Sequence, residues 1–261
     1  MPAMILLLGG TSDSRPLAEG LAEAGYRVLV SQATNVPLET PLHGNIETRR
    51  GPLDETSLAE LVERASVRAI VDAAHPYAVA VHATASRVAD DKGIPCLRFC
   101  RPAAVAADAA GVEFVADHAA AAAAAFRYGR PVLLTTGTRN LAPYVDEARR
   151  TGLRLAVRVL DHPQSLDACR QAGIGLDQVI AGRGPFSADD NRGHIRAYGA
   201  GVLVTKDSGA AGGTVEKLQA ARAEGCGVIV IARPAVGNRP SFSEVGALLT
   251  ALARASAGGR G

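Results

Sequence analysis

Short apolar runs alternate with helix-patterned stretches along the whole chain, and that alternation restricts the fold more than any other feature. A strand apolar at successive positions must be buried on both faces, which a parallel sheet wrapped by helices provides. The first run, Met4–Leu8, leads through the turn Gly9-Gly10-Thr11 into a helix over Pro16–Ala24, with Leu17 and Leu21 on one face. Pro16 falls in the first helical turn, where its missing N–H costs nothing. Gly25 closes that helix and Arg27–Ser31 reads as the second strand. A helix over Glu55–Ala65, a strand over Ala69–Asp72, a helix over Val79–Lys92 and a strand over Pro95–Phe99 complete a first half. Beyond Arg101-Pro102 the pattern repeats, with strands near Val112–Val115, Val132–Thr135, Arg154–Val159, Gln178–Ala181, Val202–Thr205 and Val228–Ile231. The run Ala119–Ala125 is the best helix-forming composition available and predicts a helix packed closely on its sheet. Ala253–Gly261 reads as a frayed tail. The expectation is an α/β protein of two Rossmann-like parallel-sheet domains, residues 1–102 and 103–261, with the active site in the cleft between them.

Composition narrows the function classes. A net charge of +2 gives no basic field for nucleic acid or membrane, and the absence of Trp with 4% aromatic residues argues against a base-stacking surface. The four cysteines, Cys96, Cys100, Cys169 and Cys226, contain no CxxC pair, so neither a disulfide framework nor a zinc site is expected and the setting reads as cytoplasmic. The apolar opening is too short for a signal peptide or a membrane span.

Polar, glycine-rich loops follow several strands, where open α/β sheets bind ligands. The segment Gly9 to Ser14 can hold a phosphate, since glycines admit an anion to the backbone and a helix N-terminus offers free N–H groups. It is not a full GxGxxG, and a tight β–α turn explains it equally. The second strand ends on Ser31-Gln32 without the acid that binds a ribose 2′-hydroxyl, so a 2′-phosphate is tolerated there, with Thr34 and Arg49-Arg50 as neighbours. Asp72-Ala73-Ala74-His75-Pro76-Tyr77 places a titratable imidazole on a stiffened loop, although a loop histidine with a backbone partner is the plainer account. Lys206-Asp207-Ser208-Gly209 with Gly212, Gly213 and Lys217 puts a cation and exposed N–H groups at another strand end. Thr135-Thr136-Gly137-Thr138 and Gly184-Pro185-Phe186-Ser187 with Asn191 are similar loops. No Tyr-x-x-x-Lys pair of the short-chain reductase kind occurs. A nucleotide-sensing regulatory module would not need the second cluster of loops.

Together with Leu-Arg-Phe-Cys-Arg-Pro (97–102) and Ile-Ala-Arg-Pro (231–234), these segments resemble, in order, the precorrin-6A reductase family of cobalamin biosynthesis. Ala74 stands where the family pattern carries Thr, which removes any hydroxyl role at that position. The resemblance implies NADPH-dependent reduction of one ring double bond of a corrin precursor, a polycarboxylate tetrapyrrole, to the dihydro product. It implies NADPH on the first half over Gly9, Gly10, Thr11, Ser12, Ser31 and Thr34. It implies the substrate on Thr136, Gly137, Phe186, Ser187, Asn191, Ser208, Gly212 and Gly213, with no metal of the protein's own. His75, Tyr77, Lys206 and Asp207 are the candidates for proton delivery or charge stabilisation, and the product is expected to pass to the next pathway enzyme.

Overall fold

The computed structural model describes residues 2–33, 44–106, 109–209, 212–234 and 239–258. In chain order the elements are β1 (Met4–Leu8), α1 (Ser14–Glu23), β2 (Arg27–Gln32), β3 (Ile46–Arg50), α2 (Glu55–Arg64), β4 (Val67–Asp72), α3 (Val79–Asp91) and β5 (Cys96–Phe99). They continue with β6 (Val112–Val115), α4 (His118–Arg127), β7 (Val132–Leu134), α5 (Ala142–Thr151), β8 (Leu155–Val159), α6 (Pro163–Gln171) and β9 (Val179–Ala181). The last are α7 (Ala188–Tyr198), β10 (Val202–Lys206), α8 (Thr214–Ala223), β11 (Gly227–Ile231), β12 (Ser241–Phe242) and α9 (Val245–Gly258). Two compact units result, one of Met1–Pro102 with Pro234–Gly261 and one of Ala103–Arg233.

The first unit has the parallel order β12-β5-β4-β1-β2-β3. Along β1 the side chains divide by parity: Ile5 and Leu7 join Leu17, Leu21, Leu248 and Leu252 under α1 and α9, while Met4, Leu6 and Leu8 join Leu58, Leu61 and Val88 under α2 and α3. Burial on both faces is why β1 is apolar throughout. The chain reverses its direction of growth between β1 and β4, and the turns after these two strands flank the crevice that such a reversal opens.

The second unit repeats the arrangement with the order β6-β11-β10-β7-β8-β9, again parallel, and its reversal lies between β7 and β10. The alanine run forms α4, as its propensity predicts, and Ala121, Ala122, Ala124 and Ala125 are buried.

Two expectations are corrected, and one strand has no signal in the sequence. The whole of 103–261 was assigned to the second domain, but from Pro234 the chain belongs to the first unit, adding β12 beside β5 and laying α9 over α1. Gly20 permits that contact, because a Cβ there would meet Val245 Cγ1 at 2.9 Å. The frayed tail expected from Ala253 is helical as far as Gly258. β3 went unrecognised: its sequence IETRR has no apolar run because it is an edge strand with largely exposed side chains. No helix among the described residues is long and apolar enough to cross a membrane.

Candidate functional site

At the reversal point of the first sheet, the Gly9–Ser14 turn is held by one hydroxyl. Ser14 Oγ, almost fully buried, accepts the N–H of Gly10 at 3.0 Å and that of Thr11 at 3.3 Å. Gly9 is obligatory, since a Cβ would fall 2.7 Å from Ser14 Oγ. Gly10 has φ +114° and open space where a Cβ would be, so its backbone can be approached closely. Two of the amides expected to face an anion are thus already engaged by Ser14. The other polar groups at this turn are the Ser12 N–H, the start of α1 and the Arg101 guanidinium, which binds Ser12 Oγ at 2.7 Å and the Asp13 carboxylate. Thr11 Oγ1 donates to the Ala73 carbonyl at 3.3 Å and joins this turn to the one after β4.

The β4 turn is organised from beneath. Asp72, buried at the strand end, accepts the Ala74 N–H and pairs with His82 Nδ1 of α3 at 2.6 Å, while His82 Nε2 lies 3.1 Å from the His75 carbonyl. His82 therefore fixes the loop that presents His75 and Tyr77. The rings of those two lie 5.6 Å apart, and the Tyr77 N–H approaches His75 Nδ1 at 3.4 Å.

Beside this crevice the Ser31 carbonyl accepts the Gly9 N–H at 2.9 Å, and Ser31 Oγ accepts from Arg49 Nη1 of β3 at 2.8 Å. The β2–β3 register sets Ser31 opposite Arg49. Burial and the Arg64 charge lower the Arg49 pKa. Among the described residues a cation, and no carboxylate, thus meets the Ser31 side chain. Thr34, named with Ser31 as a cofactor contact, lies outside the described residues.

In the second unit Thr135 binds the Val204 carbonyl through both N–H and Oγ1 at 2.9 Å, drawing the Thr136-Gly137 turn to the β10 end. Lys206, the last residue of β10, is half-buried; burial and the neighbouring Arg139 lower its pKa. Close to it, His118 Nδ1 meets the fully buried Tyr144 hydroxyl at 3.0 Å. Burial, with the Lys206 charge, lowers the His118 pKa to about 4, and burial raises that of Tyr144. Asp207 is turned inward: Oδ1 accepts the N–H of Ala104 at 3.1 Å and of Gly209 at 3.0 Å and pairs with Arg233 at 3.2 Å. It braces the loop that carries Lys206.

Ser208 Oγ occupies the space a Cβ on Gly212 would need and donates to the Gly212 carbonyl at 3.2 Å. Gly213 is left-handed and caps α8. Ser187 caps α7 with Asp190, and the Asn191 amide donates to the Phe186 and Ser187 carbonyls. These side chains are employed in shaping their loops, which leaves backbone groups and the Phe186 ring as what the loops can offer a ligand. Arg158, buried in β8, reaches Asn191 Oδ1 at 2.7 Å and lies 4.3 Å from the centre of the Phe186 ring. Its signal in the sequence is an arginine inside the apolar run Leu-Ala-Val-Arg-Val. His82, His118 and Tyr144 had no local signal, since only packing brings them to the site.

Comparison with known proteins agrees with this architecture. A solved structure described as CobK precorrin-6A reductase superposes with a TM-score of 0.78 at 28% identity, covering 97% of each chain. The cobalt-precorrin-6A reductase of Priestia megaterium is 31% identical over 250 residues, 95% of this chain and 98% of the relative. That of Salmonella typhimurium is 36% identical over 236 residues, 88% of this chain and 87% of the relative. The family model for precorrin-6x reductase CbiJ/CobK matches residues 4–253, and the chain is a member of that family of oxidoreductases.

Proposed function

We propose that this chain catalyses NADPH-dependent reduction of one ring double bond of precorrin-6A, or of its cobalt complex, in cobalamin biosynthesis. The observation that carries the reading is the family match over residues 4–253 on a chain whose first sheet ends in a glycine-lined β–α turn beside Ser31 and Arg49. The open approach to Gly10, the α1 N-terminus and Arg101 suit a pyrophosphate, and Arg49 suits a 2′-phosphate where a carboxylate would select the free hydroxyl. When bound, NADPH supplies the hydride.

The protein's own residues supply alignment and the proton. In the first unit His75 and Tyr77 are presented on a loop held by Asp72 and His82, and either can deliver a proton to the carbon next to the reduced one. In the second unit Lys206, with its pKa lowered, is a proton donor or a cation facing developing charge. Asp207 acts through the loop, as a positioning residue. The remaining loops, from Thr136, Gly137, Phe186 and Ser187 to Ser208, Gly212 and Gly213, offer backbone N–H groups and an apolar ring to the tetrapyrrole.

The test is anaerobic incubation of the protein with NADPH and either the metal-free or the cobalt-containing tetrapyrrole, followed optically. Consumption of NADPH with one of them, and slower consumption of NADH, is the expected result. The cofactor preference is expected to collapse in Arg49→Ala. No reduction of either substrate would overturn the reading.

A further inference from the structure

The His82 ring meets a hydrogen-bond acceptor on each side. Nδ1 lies 2.6 Å from Asp72 Oδ2, and Nε2 lies 3.1 Å from the His75 carbonyl oxygen. A carbonyl has no proton to give, so Nε2 must carry one for that contact to hold. The Nδ1 contact needs a second, borne by the ring or by the carboxyl. A carboxylate beside a neutral imidazole has one proton between them, so the two contacts together require one more. Electrostatics favours that extra proton. The Asp72 side chain is 4% exposed and that of His82 12%, where an unbalanced charge is costly, and carboxylate, ring and extra proton sum to zero. No other group nearby replaces either partner. The β4–β5 register sets Arg98 opposite Asp72, and Cys96, two residues before it, packs in the cluster under α2 and α3, so Arg98 projects to the same face. No ion pair joins Arg98 to Asp72 among the described residues. Burial and then the Asp72 charge push the Cys96 thiol up to about 11, so it stays neutral. Along α3, Arg87 is paired with Glu55 of α2 and Asp90 with Arg239, while the His75 ring turns Nδ1 to the Tyr77 N–H.

We infer that Asp72 and His82 form a proton-loaded latch beneath the loop that presents His75 and Tyr77, closed only while the pair holds its extra proton. The carbonyl that His82 grips also accepts the Ala78 N–H at 2.7 Å, so this one oxygen ties the loop to the start of α3 twice. Without the extra proton a ring lone pair faces either the carbonyl or the carboxylate, and repulsion replaces one of the two bonds. The charged acceptor makes the stronger bond and keeps the remaining proton, so the carbonyl contact is the one lost. The closed loop binds one proton more than the released one, and its population therefore falls as pH rises. Asp72 and His82 act through His75 and Tyr77, as positioning residues.

Asp72→Asn separates the proton from the shape. Its amide can donate to Nδ1 while its oxygen keeps the Ala74 N–H, so a neutral ring with its proton on Nε2 satisfies both contacts. His82→Phe fills the space with neither contact. Proton and nitrogen spectra of the histidine-labelled whole protein at neutral pH count the protons on the ring. In the wild type two are expected, one on Nε2 and one in the Asp72 contact; in Asp72→Asn the ring is expected to keep the Nε2 proton alone. With NADPH and the tetrapyrrole, wild-type kcat is expected to fall with rising pH as the second ring proton disappears, and Asp72→Asn is expected to lose that limb. His82→Phe is expected to lower kcat about tenfold at every pH with KM within about twofold of wild type. A pair that only supports the fold would lower the melting temperature of both variants and leave the pH profile of kcat unmoved. A single proton on the wild-type ring, or an Asp72→Asn profile like that of the wild type, overturns the latch. The wild-type spectrum decides alone should a variant fail to fold. The kinetic expectation rests on the proposed reduction; two ring protons in a protein that reduces neither tetrapyrrole would leave the latch standing and remove that activity instead.

Discussion

Among single residues, Gly10, Lys206 and His118 separate ligand binding from structure most cleanly. At Gly10 a side chain meets no atom of the protein but forces φ +114° on a residue that disfavours it. Gly10→Val is expected to cost about 1–3 kcal/mol of stability from backbone strain and, beyond that, to abolish NADPH binding by filling the approach. Cofactor titration on the folded fraction measures the second effect, and normal binding there places the pyrophosphate elsewhere. For Lys206→Ala, a carboxylate anchor predicts raised KM with turnover kept, whereas charge stabilisation or proton transfer predicts lost turnover. A lowered melting point with unchanged kinetics would remove Lys206 from the active site. His118 is a stability sensor. Its folded pKa of about 4 lies below the ordinary 6.5, so the unfolded chain binds the extra proton first. Stability contributed by the neutral ring is complete above pH 6.5 and is lost as pH falls towards 4. His118→Phe should flatten the melting curve against pH in that window, and an unchanged slope would assign the acid sensitivity to other groups.

For whole elements, what could be read in advance followed from how many faces each one buries. β1, β2, β4, β10 and β11 are covered on both sides, so an uninterrupted apolar run announced them. β3 lies at the sheet edge with arginines at its end, and β12 spans two residues, so neither carries such a run. The end of α9 reads as a tail because Ala253–Gly261 is rich in small residues; upstream of it Leu248 and Leu252, both fully buried against β1 and α1, make the helix an integral layer with Val245, Leu249 and Ala251 packed beside them. Leu248→Ala should therefore destabilise the protein by about 2–5 kcal/mol, as a core cavity does, and a loss below about 1 kcal/mol in denaturant unfolding would mean that α9 contributes little. The loops of the candidate site were legible for the same reason the strands were: glycines mark the places where backbone must be approached or turned. Their supporting groups were not. Asp72, Asp207 and Asn191 look like surface polar residues until packing turns them inward, and no spacing rule finds a His82 that serves a loop seven residues earlier.

Seen whole, the chain completes its second unit in one continuous stretch and its first in two. A fragment of residues 103–233 contains all six strands of its sheet and is expected to unfold cooperatively on its own. A fragment of residues 1–102 lacks β12 and α9, leaving uncovered the part of the Ile5, Leu7 and Leu17 cluster that Leu248 and Leu252 pack on, and is expected to give no cooperative melt and to bind hydrophobic dye. Cooperative unfolding of residues 1–102 alone would contradict that division. The two-piece unit also sets an order of events during synthesis. As the chain leaves the ribosome, the unit that starts first waits with an uncovered leucine-rich face while the inserted one emerges and folds, and it closes only when α9 arrives. Premature termination in the last twenty residues would therefore leave the inserted unit intact and damage the amino-terminal one, the half farthest away in the message.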